Sequence, residues 1–503
     1  MNFSLSLASG VDDAFAASPL IVLALSALAS LVAVSFAKRK AEAAFAVCAI
    51  GLAAALISSF ALSLPMMPRH IAELLSMDGL SFIGTAIILV SGLAIALSSR
   101  SYLALREGER GEYFVLLLFA SLGASVLAAS SNLATLFLGL ELLSVSLYAL
   151  VAYRRERAEG AKAAFTYLIL ASVASAFLFF GMALAYYQTG SLELSLIARA
   201  AAEASGGTLL TAALAMMGVG FAFKLAVAPF HMWALEVYEG SSAPVAALIA
   251  TVSKAAMAIP LIRALAPAVS ANGASPHAVW IIAALSGASM VAGNLLALRE
   301  EKVKRMLAAS SIAQIGYLLV ALSAGGAYGA GAALFYLAAY SLATLGAFAC
   351  VAAISAPDRD ASSRDDFRGL AARRPLVAAV MTASLLSLAG MPLTAGFIGK
   401  FMLFSSGLGA LSAHAGAATR FLVILLALNS AVSLVYYLRL LSLMYRSPEA
   451  ENRNAESADI AANGGPRRSF LAGTVLALIG LGILALGTAP GPALSLLSSI
   501  AGR

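Results

Sequence analysis

The chain has 503 residues, of which 61% are apolar and 11% are charged. A soluble domain usually carries about 25% charged residues, so the composition excludes a cytosolic enzyme, a disordered tail and a disulfide-stapled secreted domain. The net charge of +7 is explained more simply by the basic cytoplasmic loops of a membrane protein than by nucleic-acid binding.

Fourteen apolar segments are long enough to cross a bilayer, which takes about 20 residues. Because the runs are continuous rather than alternating, they predict helices and not the strands of a barrel. The expected fold is an all-α polytopic membrane protein with 14 transmembrane helices. Their approximate limits are 18–36, 43–64, 78–98, 112–130, 132–152, 163–187, 208–230, 243–265, 277–298, 304–325, 328–355, 375–407, 418–444 and 470–489.

The distribution of Lys and Arg predicts the orientation. With the N-terminus outside, the inner loops hold 23 of the 32 basic residues and the outer loops hold five, while Lys224, Lys254, Lys400 and Arg439 lie within spans. Because cytoplasmic loops carry the excess of positive charge, both termini are expected on the outer side. The basic residues 38–40 follow the first span and are typical of a cytoplasmic stop, not of a signal-peptide cleavage site.

No segment indicates a cofactor site. The two cysteines, Cys48 and Cys350, lie in apolar runs, and two cysteines cannot hold a zinc ion or an iron–sulfur cluster unaided. The sequence has no glycine-rich phosphate loop after a strand and no dinucleotide fingerprint. The longest gap, 445–469, is polar and is expected to be a flexible inner loop. This chain is therefore expected to bind no cofactor and no metal itself.

Four ionisable residues lie well inside predicted spans: Glu141, Lys224, Lys254 and Lys400. Placing a charged side chain at the middle of a span costs about 2.5–3.5 kcal/mol of insertion free energy, so the presence of each one calls for an explanation. A single lysine can reach the interface with its long side chain, and a single glutamate can stay protonated and bond a neighbouring helix. Four together favour a proton relay, because such groups change protonation when a neighbouring charge changes.

Helix-breaking residues accompany two of these lysines. Pro229 follows Lys224, and the segment before Lys400 contains Gly390, Pro392, Gly396 and Gly399. Interrupted helices at matching places of two halves indicate inverted repeats with an ion path between them. Spans four to eight and nine to thirteen fit this pattern, with helices seven and twelve broken. The expected units are 1–111 (three N-terminal helices), 112–265 (first repeat), 277–444 (second repeat) and 445–503 (inner loop and last helix).

One histidine extends this group. His231 follows Lys224 by seven residues, so two helical turns place both on roughly one face. It is either an interfacial histidine or a secondary proton relay.

Four stretches carry a resemblance to a known family: FLGLELLSVSLYALVAY, FKLAVAPFHMWALEVYEGSSAPVAALIATVSK, GNLLALREEKVKRMLAASSIAQIGYLL and LSLAGMPLTAGFIGKF. In this order they resemble the antiporter-like membrane subunit N of bacterial NADH:quinone oxidoreductase, respiratory complex I. The resemblance covers nearly the whole chain. One departure lies near a charged residue, since the family usually has proline where Ser146 stands.

The resemblance implies roles for single residues. The family's helix-five glutamate matches Glu141, its broken-helix lysines match Lys224 and Lys400, its helix-eight lysine matches Lys254, and the histidine of its PFH motif matches His231. It implies proton translocation driven by quinone reduction elsewhere, with FMN, iron–sulfur clusters and quinone held by other subunits. The implied partners are neighbouring antiporter-like and small membrane subunits in the bacterial inner membrane.

Several other functions fit parts of the same pattern. A subunit of a multi-subunit cation/proton antiporter, or of a membrane-bound hydrogenase, would have the same fold and charges. A solute transporter would show a wider polar cavity with aromatic or amide groups, whereas the membrane amides here are few, notably Gln314 and Asn294. A purely structural scaffold is the remaining alternative.

Overall fold

A computed structural model describes residues 12–63, 69–106, 111–154, 156–202, 207–270, 276–409, 416–446 and 470–501. Most of the predicted inner loop 445–469 lies outside these residues.

The described chain is almost entirely helical. Its first part contains α1 (Ser18–Phe36), α2 (Lys40–Ser63), α3 (Gly79–Ala104), α4 (Glu112–Ala129), α5 (Leu133–Val151), α6 (Ala158–Thr189), α7 (Leu194–Ala202), α8 (Gly207–Leu225), α9 (Met232–Gly240), α10 (Ala243–Leu248), a π-helical turn (Ile249–Ser253) and α11 (Lys254–Ser270). Its second part contains α12 (Pro276–Arg299), α13 (Val303–Ala324), α14 (Gly326–Ile354), a 3₁₀ turn (Arg364–Phe367), α15 (Leu370–Arg373), α16 (Pro375–Ala389), α17 (Ala395–Gly409), α18 (Gly416–Met444), α19 (Phe470–Thr488) and α20 (Gly491–Ala501). A two-stranded antiparallel hairpin, β1 (Arg69–Ile71) and β2 (Leu75–Met77), precedes α3.

The described residues form 13 helices that are long and apolar enough to cross a membrane, which confirms the all-α membrane fold. One of them runs continuously through α10, the π-helical turn and part of α11, as Ala243–Leu265. The predicted span 375–407 is instead two shorter helices, α16 and α17. The total of fourteen spans and the two inverted repeats stay predictions. The hairpin and the short helices α7, α9 and α20 were not predicted, because none contains a long apolar run.

Contacts between loops sort them into two ends of the bundle. At one end, Arg106 contacts Asp360 and Arg154 donates to the carbonyl of Pro357. At the other end, Arg263 pairs with Asp78, whose carboxylate also caps the start of α3. The first contacts join loops predicted to be inner and the second join loops predicted to be outer, and the side on which the termini lie stays a prediction.

The helices in the middle of the bundle approach each other closely through small residues. An added Cβ on Gly139 of α5 would lie 2.8 Å from the backbone nitrogen of Leu127 in α4. The helices α12 and α13 meet in the same way, at Gly293 and Gly316. Such backbone contact suits a bilayer, where packing rather than the hydrophobic effect joins helices. Every residue in the apolar window of α13 is buried, so this helix runs through the core.

Candidate functional site

Glu141 lies on an uninterrupted part of α5. The departure at Ser146 leaves the helix intact, since the Ser146 hydroxyl donates to the carbonyl of Leu142 at 2.8 Å and α5 continues to Val151. The Glu141 side chain is half-buried, and its Oε1 accepts a 2.6 Å hydrogen bond from Ser175 of α6. The carboxylate is thus held at the boundary between α5 and α6.

Lys224 lies at the end of α8, where the helix breaks. Its side chain is buried, and its Nζ donates to the hydroxyl of Ser144 at 2.7 Å and to that of Tyr167 at 3.2 Å. The helix ends one residue later, and Ala226 adopts a φ of +58°, a left-handed conformation that side-chain-bearing residues avoid. The predicted break in span seven is therefore present directly after Lys224.

A water-sized cavity lies beside Lys224 and beside Ser175, the residue that bonds Glu141. Ser144, Ser175 and Lys224 provide its polar lining, and the rest of the lining is apolar. The volume available to the centre of a water is ≈ 10 Å³, which is about the minimum for one ordered molecule. Ser175 bonds Glu141 and Ser144 bonds Lys224, so the cavity adjoins one hydroxyl partner of each charged group.

Lys254 is buried at the first position of α11, directly after the π-helical turn. Its Nζ donates to the hydroxyl of Ser311 at 2.8 Å and to the backbone carbonyl of Ser311 at 3.1 Å. Ser311 belongs to α13, the helix that runs through the core. π-helical turns are rare and occur often at functional sites, and no residue pattern predicted this one.

Lys400 lies on α17 beside the second helix break. Its Nζ donates to the carbonyl of Ala389, the last residue of α16, at 3.0 Å, and stands 4.8 Å from the ring centroid of Tyr317. Between the two helices, Gly390 has a φ of +83°, and an added Cβ would lie 2.7 Å from the Lys400 Cδ. Glycine therefore suits the left-handed turn at this position, and a Cβ there would displace the lysine side chain.

Gln314 of α13 connects the surroundings of Lys254 to those of Lys400. It lies one turn after Ser311, and its Nε2 donates to the carbonyl of Leu388 at 3.0 Å and to the Tyr437 hydroxyl at 3.3 Å. The Tyr336 hydroxyl donates to its Oε1. Leu388 adjoins the residue whose carbonyl accepts from Lys400, so α13 carries polar contacts from one lysine to the other.

Sequence reasoning missed the two tyrosines of this connection. Tyr336 and Tyr437 lie in long apolar runs, where tyrosine is ordinarily a packing residue. A usable signal was present on α13 itself, where Ser310, Ser311, Gln314 and Tyr317 repeat at helical spacing within one apolar span.

His231 is placed differently from the other predicted residues. It precedes α9, and its buried Nδ1 has no hydrogen-bond partner in the described part of the chain. None of the hydrogen bonds and ion pairs between described residues joins it to Lys224. His231 and Lys224 do not share one face of a helix, because the helix that carries Lys224 ends at Leu225.

The described ranges contain no group of side chains suited to binding a metal ion. Three or more His, Cys, Asp or Glu side chains do not come together there in a way that could hold a metal ion. Cys48 and Cys350 are buried and unpaired.

Comparison with known proteins decides the family. Residues 130–428 match the model of the NADH:quinone oxidoreductase/Mrp antiporter transmembrane family. The chain is 38% identical to NADH-quinone oxidoreductase subunit N of Chromohalobacter salexigens, over 95% of this chain and 97% of the relative. It is 41% identical to the subunit N of Trichlorobacter lovleyi, over 72% of this chain and 73% of the relative. The chain belongs to the NADH-quinone oxidoreductase subunit N family.

Solved structures agree with this membership. A chain of respiratory complex I from Thermus thermophilus superposes with a TM-score of 0.78 and 33% identity, covering 95% of this chain and 99% of that one. A chain of the Mrp complex from Dietzia sp. has a TM-score of 0.79 at 23% identity, covering 97% of each chain, and shows the shared fold alone. All four charged residues of the site lie inside the segment that matches the family model of subunit N and its antiporter relatives.

Proposed function

We propose that the chain is a proton-translocating subunit in the membrane arm of a NADH:quinone oxidoreductase. The observation that carries the proposal is the series of four ionisable groups inside the bundle, each bonded to polar groups. A water-sized cavity lies beside Lys224, and α13 contacts both Lys254 and the helix break beside Lys400. FMN, iron–sulfur clusters and quinone belong to other subunits in this proposal, and this chain contributes the proton path without a redox centre of its own.

The mechanism begins at Glu141 and Lys224. While Glu141 is ionised, its negative charge favours the protonated form of Lys224. When a charge change in a neighbouring subunit withdraws that attraction, Lys224 releases its proton toward Lys254. The route from Glu141 to Lys224 is Ser175, a water in the cavity and Ser144.

Lys254 and Lys400 then receive and pass on a proton. Hydroxyl and carbonyl oxygens surround them, and within the described residues neither lies within 4.0 Å of a carboxylate. No carboxylate in these surroundings holds either lysine in its charged form, so each can release its proton as a relay requires. Lys400 releases its proton toward the outer side. His231, with a free Nδ1, is a secondary relay for protons that arrive from the inner side.

The proposal includes an orientation and a division of the chain. Both termini lie on the outer side of the bacterial inner membrane, and residues 112–265 and 277–444 form two inverted repeats. The broken helices at Leu225 and Gly390 support this division, because each lies beside a buried lysine. The orientation is tested by fusing to each terminus a reporter enzyme that is active only in the periplasm. We expect both fusions to be active, and two inactive fusions would contradict the orientation.

Purification through a tag on this chain tests the assembly. From membranes in mild detergent, the eluate is expected to contain flavin and iron–sulfur subunits and to catalyse NADH:quinone reduction. The antiporter alternative, which the fold shared with the Mrp complex keeps open, predicts only membrane subunits and no redox activity.

Replacement of a central lysine tests the path. In the assembled complex, Lys254→Met is expected to lower the number of protons translocated per NADH oxidised. Lys162→Met is the matched control, since Lys162 is 78% exposed and pairs with Glu236 at the surface. An unchanged ratio in Lys254→Met contradicts the assigned role.

A further inference from the structure

A buried carboxylate lies where the loops predicted to be inner meet. Asp360 is in the loop after α14, and 2% of its side chain is exposed. It accepts hydrogen bonds from the Tyr102 hydroxyl at 2.5 Å, the Lys304 Nζ at 2.9 Å and the backbone nitrogen of Ala243 at 3.1 Å. One side chain thus joins the end of α3, the start of α10 and the start of α13.

Positive charge exceeds negative charge around this carboxylate. Besides Lys304, Arg106 approaches Asp360 at 3.5 Å and Arg154 at 3.9 Å, so the cluster has a net charge of +2. Burial raises the pKa of the Asp360 carboxyl, but Lys304, the Tyr102 hydroxyl and Arg106 outweigh it and hold the pKa below its usual range. Asp360 is therefore ionised at neutral pH.

The same Asp360 atom bonds the two helical segments that also meet at Lys254. Oδ2 accepts from Ala243, eleven residues before Lys254, and from Lys304, seven residues before Ser311. Seven residues are about two helical turns, so Lys304 and Ser311 share one face of α13. Lys304 also donates to the carbonyl of Ser241 at 2.6 Å, just before α10. These bonds fix where α10 begins relative to α13.

Between this anchor and Lys254 the helix is irregular. The π-helical turn Ile249–Ser253 changes the rotation and rise per residue, so regular packing alone does not set the direction of Lys254. The far end is held by Arg263, which bonds Asp78 at 2.7 Å and the carbonyl of Ser130 at 2.7 Å. Lys254 therefore lies on a helical segment that contains a π-helical turn, and both ends of this segment are held by hydrogen bonds.

We propose that Asp360 is a positioning residue for Lys254: by tying the start of α10 to Lys304, it holds α10 and α11 in the register with α13 that brings Lys254 to Ser311. The inference rests on the proposed function of Lys254 as a proton carrier. Asp360 itself transfers no proton and lies far from the relay contacts along the helix.

A pair of variants separates positioning from charge balance. Asp360→Asn raises the net charge of the cluster to +3, and Asp360→Asn with Lys304→Met returns it to +2 without restoring the tie between α10 and α13. Asp358→Asn is the matched control, because Asp358 is exposed in the same loop and uses only its backbone carbonyl to bond Arg154 and Arg157. Protons translocated per NADH are measured in vesicles for each variant, with the amount of assembled complex determined in parallel.

We expect the double variant to assemble and to lower the proton ratio to the level of Lys254→Met, with Asp358→Asn unchanged. A double variant with the full ratio overturns the inference, since charge balance alone would then explain Asp360. Failure of the double variant to assemble also overturns it, because the carboxylate would then be needed for folding itself. If Lys254→Met leaves the ratio unchanged, it is the proposed function of Lys254 that fails.

Discussion

Substitution of Gly139 by Ala tests whether close backbone contact between α4 and α5 stabilises the part of the bundle that holds Glu141. The new Cβ would stand 2.8 Å from the Leu127 nitrogen and 3.0 Å from the Gly123 oxygen. Ordinary contact begins at 3.4 Å, so the two distances are too short by about 0.6 Å and 0.4 Å. Both obstacles are backbone atoms, which cannot rotate away as a side chain can. The two helices must therefore separate, and Glu141, two residues after the substitution, moves with α5.

Overpacking of this kind costs about 1–3 kcal/mol. We expect Gly139→Ala to shorten the half-life of NADH:quinone reductase activity at elevated temperature in detergent and to lower the amount of assembled complex. Gly218→Ala is the control, because Gly218 lies on α8 near Lys224 and an added Cβ there meets no atom within 4 Å. That variant is expected to match the wild type or exceed it slightly, since Ala favours a helix over Gly by about 0.5–1 kcal/mol. Equal thermal inactivation of the two variants would refute the packing argument.

Three further predictions follow from single contacts. Ser175→Ala removes the hydroxyl that bonds Glu141, a hydrogen bond to a charged group worth about 1.5–3 kcal/mol, and is expected to lower the number of protons translocated per NADH. Ser172 is exposed and bonds only within α6, so Ser172→Ala should leave that number unchanged. Equal numbers in the two variants would remove Ser175 from the proton path. Gly390→Ala should displace the Lys400 side chain and lower the number of protons translocated per NADH. Gly409→Ala should not, because an added Cβ there meets no atom within 4 Å. A normal proton number in Gly390→Ala would show that the helix break does not determine the position of the lysine. Because the pKa of Asp360 is lowered, its contribution to stability is complete above about pH 3.9 and is lost only below it. The gap in thermal inactivation between wild type and Asp360→Asn should therefore stay constant between about pH 5 and pH 8, and a gap that narrows as the pH falls through that range would contradict the assignment.

The burial of Lys224, Lys254 and Lys400 could be predicted from the sequence for a physical reason, whereas the buried cluster around Asp360 was not predicted. A charged residue in an apolar run stands out against its neighbours, and each such residue carries a cost that calls for a partner. The breaks at Leu225 and Gly390 were also predictable, since proline and glycine mark interrupted helices.

The partners of these charges could not be predicted. Tyr102 and Asp360 are separated by 258 residues, and Lys224 and Ser144 by 80. Serine and tyrosine hydroxyls are common in membrane helices, so only the three-dimensional packing shows which of them face a lysine. The same limit explains His231, which the helical spacing aligned with Lys224 although the intervening chain is not helical.

The central claim is that the buried charges carry protons, and Lys224→Ala tests it most directly. Protons translocated per NADH oxidised would be measured in inverted membrane vesicles with wild-type and variant complexes at equal assembly. The account predicts a lower ratio in Lys224→Ala, because the variant lacks the group that exchanges a proton with the Glu141 side of the cavity. A ratio equal to that of the wild type would contradict it.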